Sequence, residues 1–174
     1  MPTPTPTDTT PAIGTPVESI ETPALTVDLD VMERNLERYA RFAEKQGVRL
    51  RAHAKTHKTP ALAGWQVDRT GGGICCQTLS EAEVMAAGGI DDVYLSYMVV
   101  GESKLARLCR LNESLDAFAT TVDGPGNVDP LASAAAAHDT VVDTVVEVDV
   151  GLGRTGTAGR ERAVEVVERV AEAS

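Results

Sequence analysis

The sequence predicts an α/β fold, a partial (β/α)8 TIM barrel of about six β-α units with the last barrel units missing. Three observations predict it. Short apolar strand-like runs alternate strictly with helix-like runs, each pair close to the length of one β-α unit. Strand-like runs carry charge on one face only, as in Arg49, Arg51, His53 and Lys55 against Leu50, Ala52 and Ala54. Basic or Gly-rich segments follow strands, at the end where barrels and open α/β sheets gather their active sites. The alternation alone fits a doubly wound sheet as well as a barrel. The charged face favours the barrel, because a parallel strand covered by helices on both sides should be apolar on both.

In chain order, residues 1–17 are a Thr/Pro-rich tract with nothing to bury, expected to be a disordered tail. The barrel is expected over residues 18–174. Ala24–Leu29 alternates as a strand. Val31–Gln46 follows as a helix with Met32, Leu36, Tyr39 and Ala43 on one stripe, Asp30 placed to cap it and Gly47 to end it. Arg49–His53 is the second strand and Pro60–Val67 the second helix. Gly73–Gln77 and Glu81–Ala87, the latter capped by Ser80, make the third pair. Asp92–Tyr97 with Ser103–Leu111, Leu115–Val122 with Pro130–Ala137, and Val141–Val150 with Arg160–Ala173 complete the series. The charged faces should line the lumen, where charges need partners, so Arg51 is expected to pair with Glu147 or Asp149.

The 174 residues suffice for one ordinary domain, and 43% hydrophobic residues allow a core. The formal net charge of −10 argues against nucleic acid and anionic membrane surfaces, which need clustered Lys and Arg. No apolar run is long enough to span a bilayer and no signal-peptide pattern is present, so a cytoplasmic protein is expected. Cys75, Cys76 and Cys109 form no disulfide framework and lack zinc-site spacing, and the adjacent pair reads as core packing. His138 reads as a surface residue that ends an Ala-rich helix. The basic residues are four Lys (Lys45, Lys55, Lys58, Lys104) against twelve Arg, a lysine-poor acidic balance suited to staying soluble in high salt.

Two segments could carry chemistry. In His53-Ala54-Lys55-Thr56-His57-Lys58, Lys55 stands where a strand runs out. Cationic neighbours disfavour an ammonium and favour the nucleophilic amine, and His53, His57 and Lys58 are placed to act so. By spacing alone a solvated basic turn is the commoner reading of such a segment. Gly151-Leu152-Gly153-Arg154-Thr155-Gly156 allows close backbone approach to a ligand, with an arginine to bind a phenolate or carboxylate. It is too compact for a dinucleotide fingerprint, and a plain turn is equally consistent with it.

Four segments together resemble a known family: Thr22-Pro23-Ala24-Leu25-Thr26-Val27-Asp28; Val48 to Lys58; Cys75-Cys76-Gln77-Thr78 with Glu81-Ala82-Glu83; and Val146 to Gly156. Their order and spacing are similar to those of the D-threonine aldolase and D-serine dehydratase-like enzymes, which share an alanine racemase-type amino-terminal barrel. The resemblance runs from Thr22 to the end. It implies that Lys55 holds pyridoxal 5'-phosphate (PLP) as a Schiff base, that Arg154 lies near its phenolic oxygen, and that His53 and Gln77 belong to the cofactor-binding set. Ala52 departs from the family's usual proline. The implied activity is a PLP-dependent lyase on D-β-hydroxy amino acids, D-threonine aldolase first, with D-serine dehydratase, a D-3-hydroxyaspartate-type lyase, a racemase, a non-catalytic PLP-binding protein or an inactive fragment as alternatives. The family's full-length chains carry further barrel strands and a β-rich carboxy-terminal domain with a divalent metal site, and full length implies a homodimer. No metal ligand is expected among the residues present here.

Overall fold

The computed structural model describes residues 10–173, and most of the predicted Thr/Pro-rich tail lies outside them. The chain divides into two units, up to Asn35 and from Leu36 onward. In the first, a 3-10 turn spans Val17–Ser19. Ala24–Leu29, predicted to be a strand, is not one: residues 24–28 carry no ladder and helix α1 (Leu29–Gln46) begins at Leu29. A strand exists only through hydrogen bonds to a neighbour, and alternation cannot supply that neighbour. Asp28, not Asp30, caps α1, its Oδ1 accepting the Val31 N–H at 2.9 Å. Gly47 ends the helix with φ +63°, as predicted.

The second unit holds five parallel strands: β1 (Ala52–His53), β2 (Ile74–Cys76), β3 (Asp92–Leu95), β4 (Ala117–Val122) and β5 (Asp143–Val146). They lie in sequence order, β1-β2-β3-β4-β5, each beside the next. A doubly wound sheet reverses its strand order at a switch point. An unbroken run of neighbours is barrel order, so the ambiguity in the sequence is resolved toward a barrel segment. A short pair, β6 (Val148–Asp149) with β7 (Thr157–Ala158), continues beyond β5. Four helices connect the strands: α2 (Pro60–Thr70), α3 (Leu79–Ala87), α4 (Glu102–Glu113) and α5 (Pro125–Ala137). Helix α6 (Arg160–Glu172) follows β7. Consecutive helices touch one another, from α2 to α6, as a single layer does.

The register gives each sheet face its character. Ile74 stands beside Val93, Val93 beside Phe118, and Val122 beside Val146. This face is apolar and packs on Ala63, Met85, Leu105, Leu108, Val128 and Leu131 of the helices as one core. The other face carries His53 beside Cys75, Cys75 beside Tyr94, and Thr121 beside Val145. It is the lumen face that the sequence predicts. The last strand departs from expectation, since Val146 joins the core but Val148 and Val150 remain exposed.

Helix α3 is capped by Thr78, whose hydroxyl accepts the Glu81 N–H at 3.2 Å, rather than by Ser80. Cys76 is fully buried on the core face, as core packing requires, whereas Cys75 is buried on the lumen face beside His53 and Tyr94 and lies outside that core. Burial, with Cys75 and Glu81 nearby, pushes the Cys76 thiol up to about 12. His138 ends α5 as expected, half-buried rather than on the surface.

Arg51 has a different partner from the one predicted. Its Nη2 lies 2.7 Å from Asp92 Oδ1, a charge contact rather than an aligned hydrogen bond, while Arg49 Nη2 donates to Asp92 Oδ2 at 2.7 Å. Asp92 is a lumen-face acid, but it opens β3, level with the start of β1. Glu147 and Asp149 sit at the far ends of the strands and are engaged there.

Candidate functional site

The predicted chemical groups gather where the strands run out. After β1 the chain enters a 3-10 turn, Ala54–Thr56, with His53 as its cap: His53 Nδ1 accepts the Lys55 N–H at 3.4 Å. The turn buries Ala54 and leaves Lys55 exposed. Lys55 Nζ donates to Gln77 Oε1 at 3.5 Å, across to the residue that follows β2. Among the described residues the amine thus faces a neutral acceptor and no carboxylate.

The other basic groups of this segment turn elsewhere. Lys58 Nζ lies 2.9 Å from Glu81 Oε1, and Glu81 Oε2 accepts the Gln77 N–H at 2.8 Å. Burial disfavours the Glu81 carboxylate, but the Lys58 ammonium and the Gln77 and Thr78 amides outweigh that and hold it below the usual range. His57 Nδ1 accepts the Thr59 N–H at 3.1 Å, so Nε2 carries the proton and donates to Gln66 Oε1 at 3.0 Å. The cationic crowd expected around Lys55 is therefore not assembled: Lys58 and His57 turn to other partners, and the His53 ring that stays beside Lys55 is uncharged. Burial first, and then the Lys55 charge, pushes the His53 imidazole below its ordinary value. It is neutral near pH 7, with Nδ1 accepting and Nε2–H facing Ser96 Oγ at 3.5 Å. Ser96 Oγ in turn donates to the Cys76 carbonyl at 3.1 Å.

Three polar residues on this face were missed at the sequence level. Ser96 is one. Tyr94 and Thr121 are the others, with the Tyr94 hydroxyl donating to Thr121 Oγ1 at 2.8 Å and Thr121 to the Leu95 carbonyl at 3.3 Å. The signal was present in the alternation of β3, where Tyr94 and Ser96 share a face, but tyrosine and threonine are ordinary strand formers and do not stand out.

The Gly151–Gly156 loop lies between β6 and β7 and is shaped by acids. Asp149 Oδ1 accepts the Gly151 N–H at 2.9 Å, and Gly153 N–H reaches the same carboxylate at 3.1 Å. The Gly153 and Gly151 amides hold the Asp149 carboxyl below its usual range. Thr155 Oγ1 donates to Glu147 Oε1 at 3.0 Å, while Glu147 Oε2 is buried without a hydrogen-bond partner among the described residues. Arg154 is exposed. Lys55, His53 and Gln77 thus form one hydrogen-bonded patch, whereas Arg154 stands on a separate loop, between β6 and β7. Among the described residues no group of three or more His, Cys, Asp or Glu could hold a metal ion, and no helix is long and apolar enough to cross a membrane.

This donor set fits the aldehyde end of PLP: a primary amine that is accessible and in no ion pair among the described residues, with a neutral imidazole and an amide beside it. Comparison with known proteins points the same way. The family model for the alanine racemase N-terminal domain matches residues 27–174. A 3-hydroxy-D-aspartate aldolase of Paracoccus denitrificans is 38% identical over 161 residues, 92% of this chain and 42% of that protein. The crystal structure of D-threonine aldolase from Filomicrobium marinum superposes with a TM-score of 0.85 at 40% identity, over 88% of this chain and 41% of that one. The structure of D-threo-3-hydroxyaspartate dehydratase from Delftia sp. HT23 gives a TM-score of 0.80 at 26% identity, over 89% and 41%. The chain spans about two fifths of the length of these relatives.

Proposed function

The chain belongs to the alanine racemase N-terminal domain family, and from that premise we propose that it carries the cofactor lysine of a PLP-dependent lyase acting on D-β-hydroxy amino acids, a D-threonine aldolase. The observation that supports this most is the contrast between two lysines three residues apart. Lys58 is held by the Glu81 carboxylate, whereas among the described residues Lys55 Nζ meets the amide oxygen of Gln77 and no carboxylate. An amine must shed its proton to attack a carbonyl, and an ion pair opposes that loss.

PLP, when bound, supplies an electron sink for bond cleavage at the amino acid's α-carbon. Lys55 Nζ would hold its aldehyde carbon, and Gln77 Oε1 orients that amine. The neutral His53 ring fixes the Lys55 backbone through Nδ1 and adds no competing charge. Arg154 would serve the phenolic oxygen, where a fixed cation balances developing negative charge.

The test is chemical. The protein is incubated with PLP and reduced with borohydride, and its peptides are mapped by mass spectrometry. One pyridoxyl group is expected on Lys55, and none on the corresponding peptide of Lys55→Ala. Equal labelling of Lys58, or a label that survives unchanged in Lys55→Ala, would sink the assignment. Incubation of the labelled-competent protein with D-threonine and a divalent metal then separates the activities. Glycine and acetaldehyde mark the aldolase, whereas 2-oxobutanoate and ammonia mark a dehydratase, the second reading that the likeness to the Delftia enzyme supports. Label without turnover marks a PLP-binding chain without activity of its own.

A further inference from the structure

We infer that Asp123 is a positioning residue for Arg154, acting through the backbone of Gly156 rather than by contact with cofactor or substrate. The inference rests on the proposed role of Arg154 and deepens it. Asp123 follows β4 and both of its carboxylate oxygens are used, by two different elements. Oδ1 accepts from Asn127 Nδ2 at 2.6 Å, in the first turn of α5. The Asn127 amide oxygen is itself fixed, accepting the Asp123 N–H at 3.1 Å and the Gly124 N–H at 3.4 Å. This closed pair sets the carboxyl orientation. Oδ2 then accepts the Gly156 N–H at 3.1 Å, 33 residues further along the chain.

Gly156 is where the loop must turn. Its φ is +94°, and a Cβ there would meet Asp149 N at 2.7 Å and Val148 C at 2.9 Å. The near end of the loop is held by Asp149 and its middle by Thr155 on Glu147. These tethers all begin on the loop's own strand. Among the described residues Asp123 is the tether that reaches the loop from the end of another strand, β4, and it closes the far end. Arg154 therefore stands between fixed points on both sides, with its guanidinium exposed. A long side chain loses less freedom on binding when its backbone is already held, so the strut preorganises the cation.

The experiment is a double-mutant cycle on PLP affinity, combined with amide hydrogen exchange of the cofactor-free protein. Asp123→Ala is expected to weaken PLP about tenfold, the equivalent of a lost hydrogen bond to a charged group. In an Arg154→Ala background the same change should have little further effect, because the residue it positions is gone. Exchange in residues 151–157 should quicken in Asp123→Ala in both backgrounds, while the β2–β4 amides stay slow. Asp123→Asn, which can accept at only one oxygen, repeats the test if Asp123→Ala does not fold. Equal weakening in both backgrounds, or unchanged loop exchange, overturns the inference. If Arg154→Ala alone leaves PLP affinity unchanged while Lys55 is still labelled, the role of Arg154 fails first and the inference falls with it. Loss of Lys55 labelling in the unmutated protein identifies failure of the functional reading itself.

Discussion

Glu81 engages Lys58 and leaves Lys55 to Gln77, and its chemistry predicts a pH dependence. Its carboxyl is held below the ordinary value of 4.5, despite burial, by Lys58 and the Gln77 amide. A depressed folded-state value means stability that is fully present above about pH 4.5 and lost as pH falls through the lowered folded value. Urea midpoints measured from pH 7 to 3 should therefore drop more steeply in the native protein than in Glu81→Gln. At pH 7 the variant should lose about 1 kcal/mol, discounted because Lys58 is largely exposed. Borohydride labelling should also begin to appear on Lys58, freed from its partner. An unchanged acid slope would show that the pair is of no consequence. That Lys55 stands at a strand end was legible in the sequence, and its proposed role comes from the family resemblance. The partner of Arg51 was not legible. Side-chain alternation tells which face a residue takes but not its height along the strand, so a lumen acid was foreseen and the wrong one chosen.

At the scale of elements, pattern reading placed each helix and most strands, and missed where hydrogen bonding rather than hydrophobicity decides. Asp28 and Thr78 cap their helices from two positions before Asp30 and Ser80, the residues that composition suggested. Each pair offers equivalent oxygen chemistry, and only backbone geometry separates them. Helix α5 starts at Pro125 although Pro130 lies inside it. Pro125 takes the first-turn place that suits proline, so the helix begins before the predicted Pro130. The joint between β2 and β3 carries a sharper requirement. A Cβ on Gly73 would fall well inside contact with the Asp92 carboxyl carbon and backbone oxygen. Neither is the loose end of a flexible chain, because Asp92 is pinned by Arg49 and Arg51. Gly73→Ala should cost about 1–3 kcal/mol by chemical denaturation, the range for inserted bulk in a packed site. Gly71→Ala serves as the contrast, since a Cβ there meets nothing and only the left-handed φ of +62° resists it. Equal costs at the two positions would refute the steric account.

For the molecule as a whole, strand order was the property that pattern could not reach. Alternating β and α runs fit two parallel architectures, and the unbroken order β1 to β5 with charge on one sheet face selects the barrel type. Charge, by contrast, is read directly from composition. The chain has 26 acidic against 16 basic residues, a net of −10. Like charges in excess oppose the compact state, and salt screens them. Salt also weakens exposed ion pairs such as Arg169 with Asp129 and Arg41 with Glu37. Such pairs contribute about 0–1 kcal/mol each and are few, whereas the excess acts over the whole surface. The repulsion should therefore dominate the response. Raising KCl from about 0.1 to 1 M shortens the Debye length from about 10 to 3 Å, and the thermal midpoint should rise. For a chain of this length each kcal/mol gained moves the midpoint by roughly 2–4 °C. Because KCl screens charge with little effect on water structure, a rise in it separates screening from the general stabilisation that sulfate gives. A midpoint that falls with KCl would mean that the local ion pairs, not the net charge, govern the electrostatics of this fold.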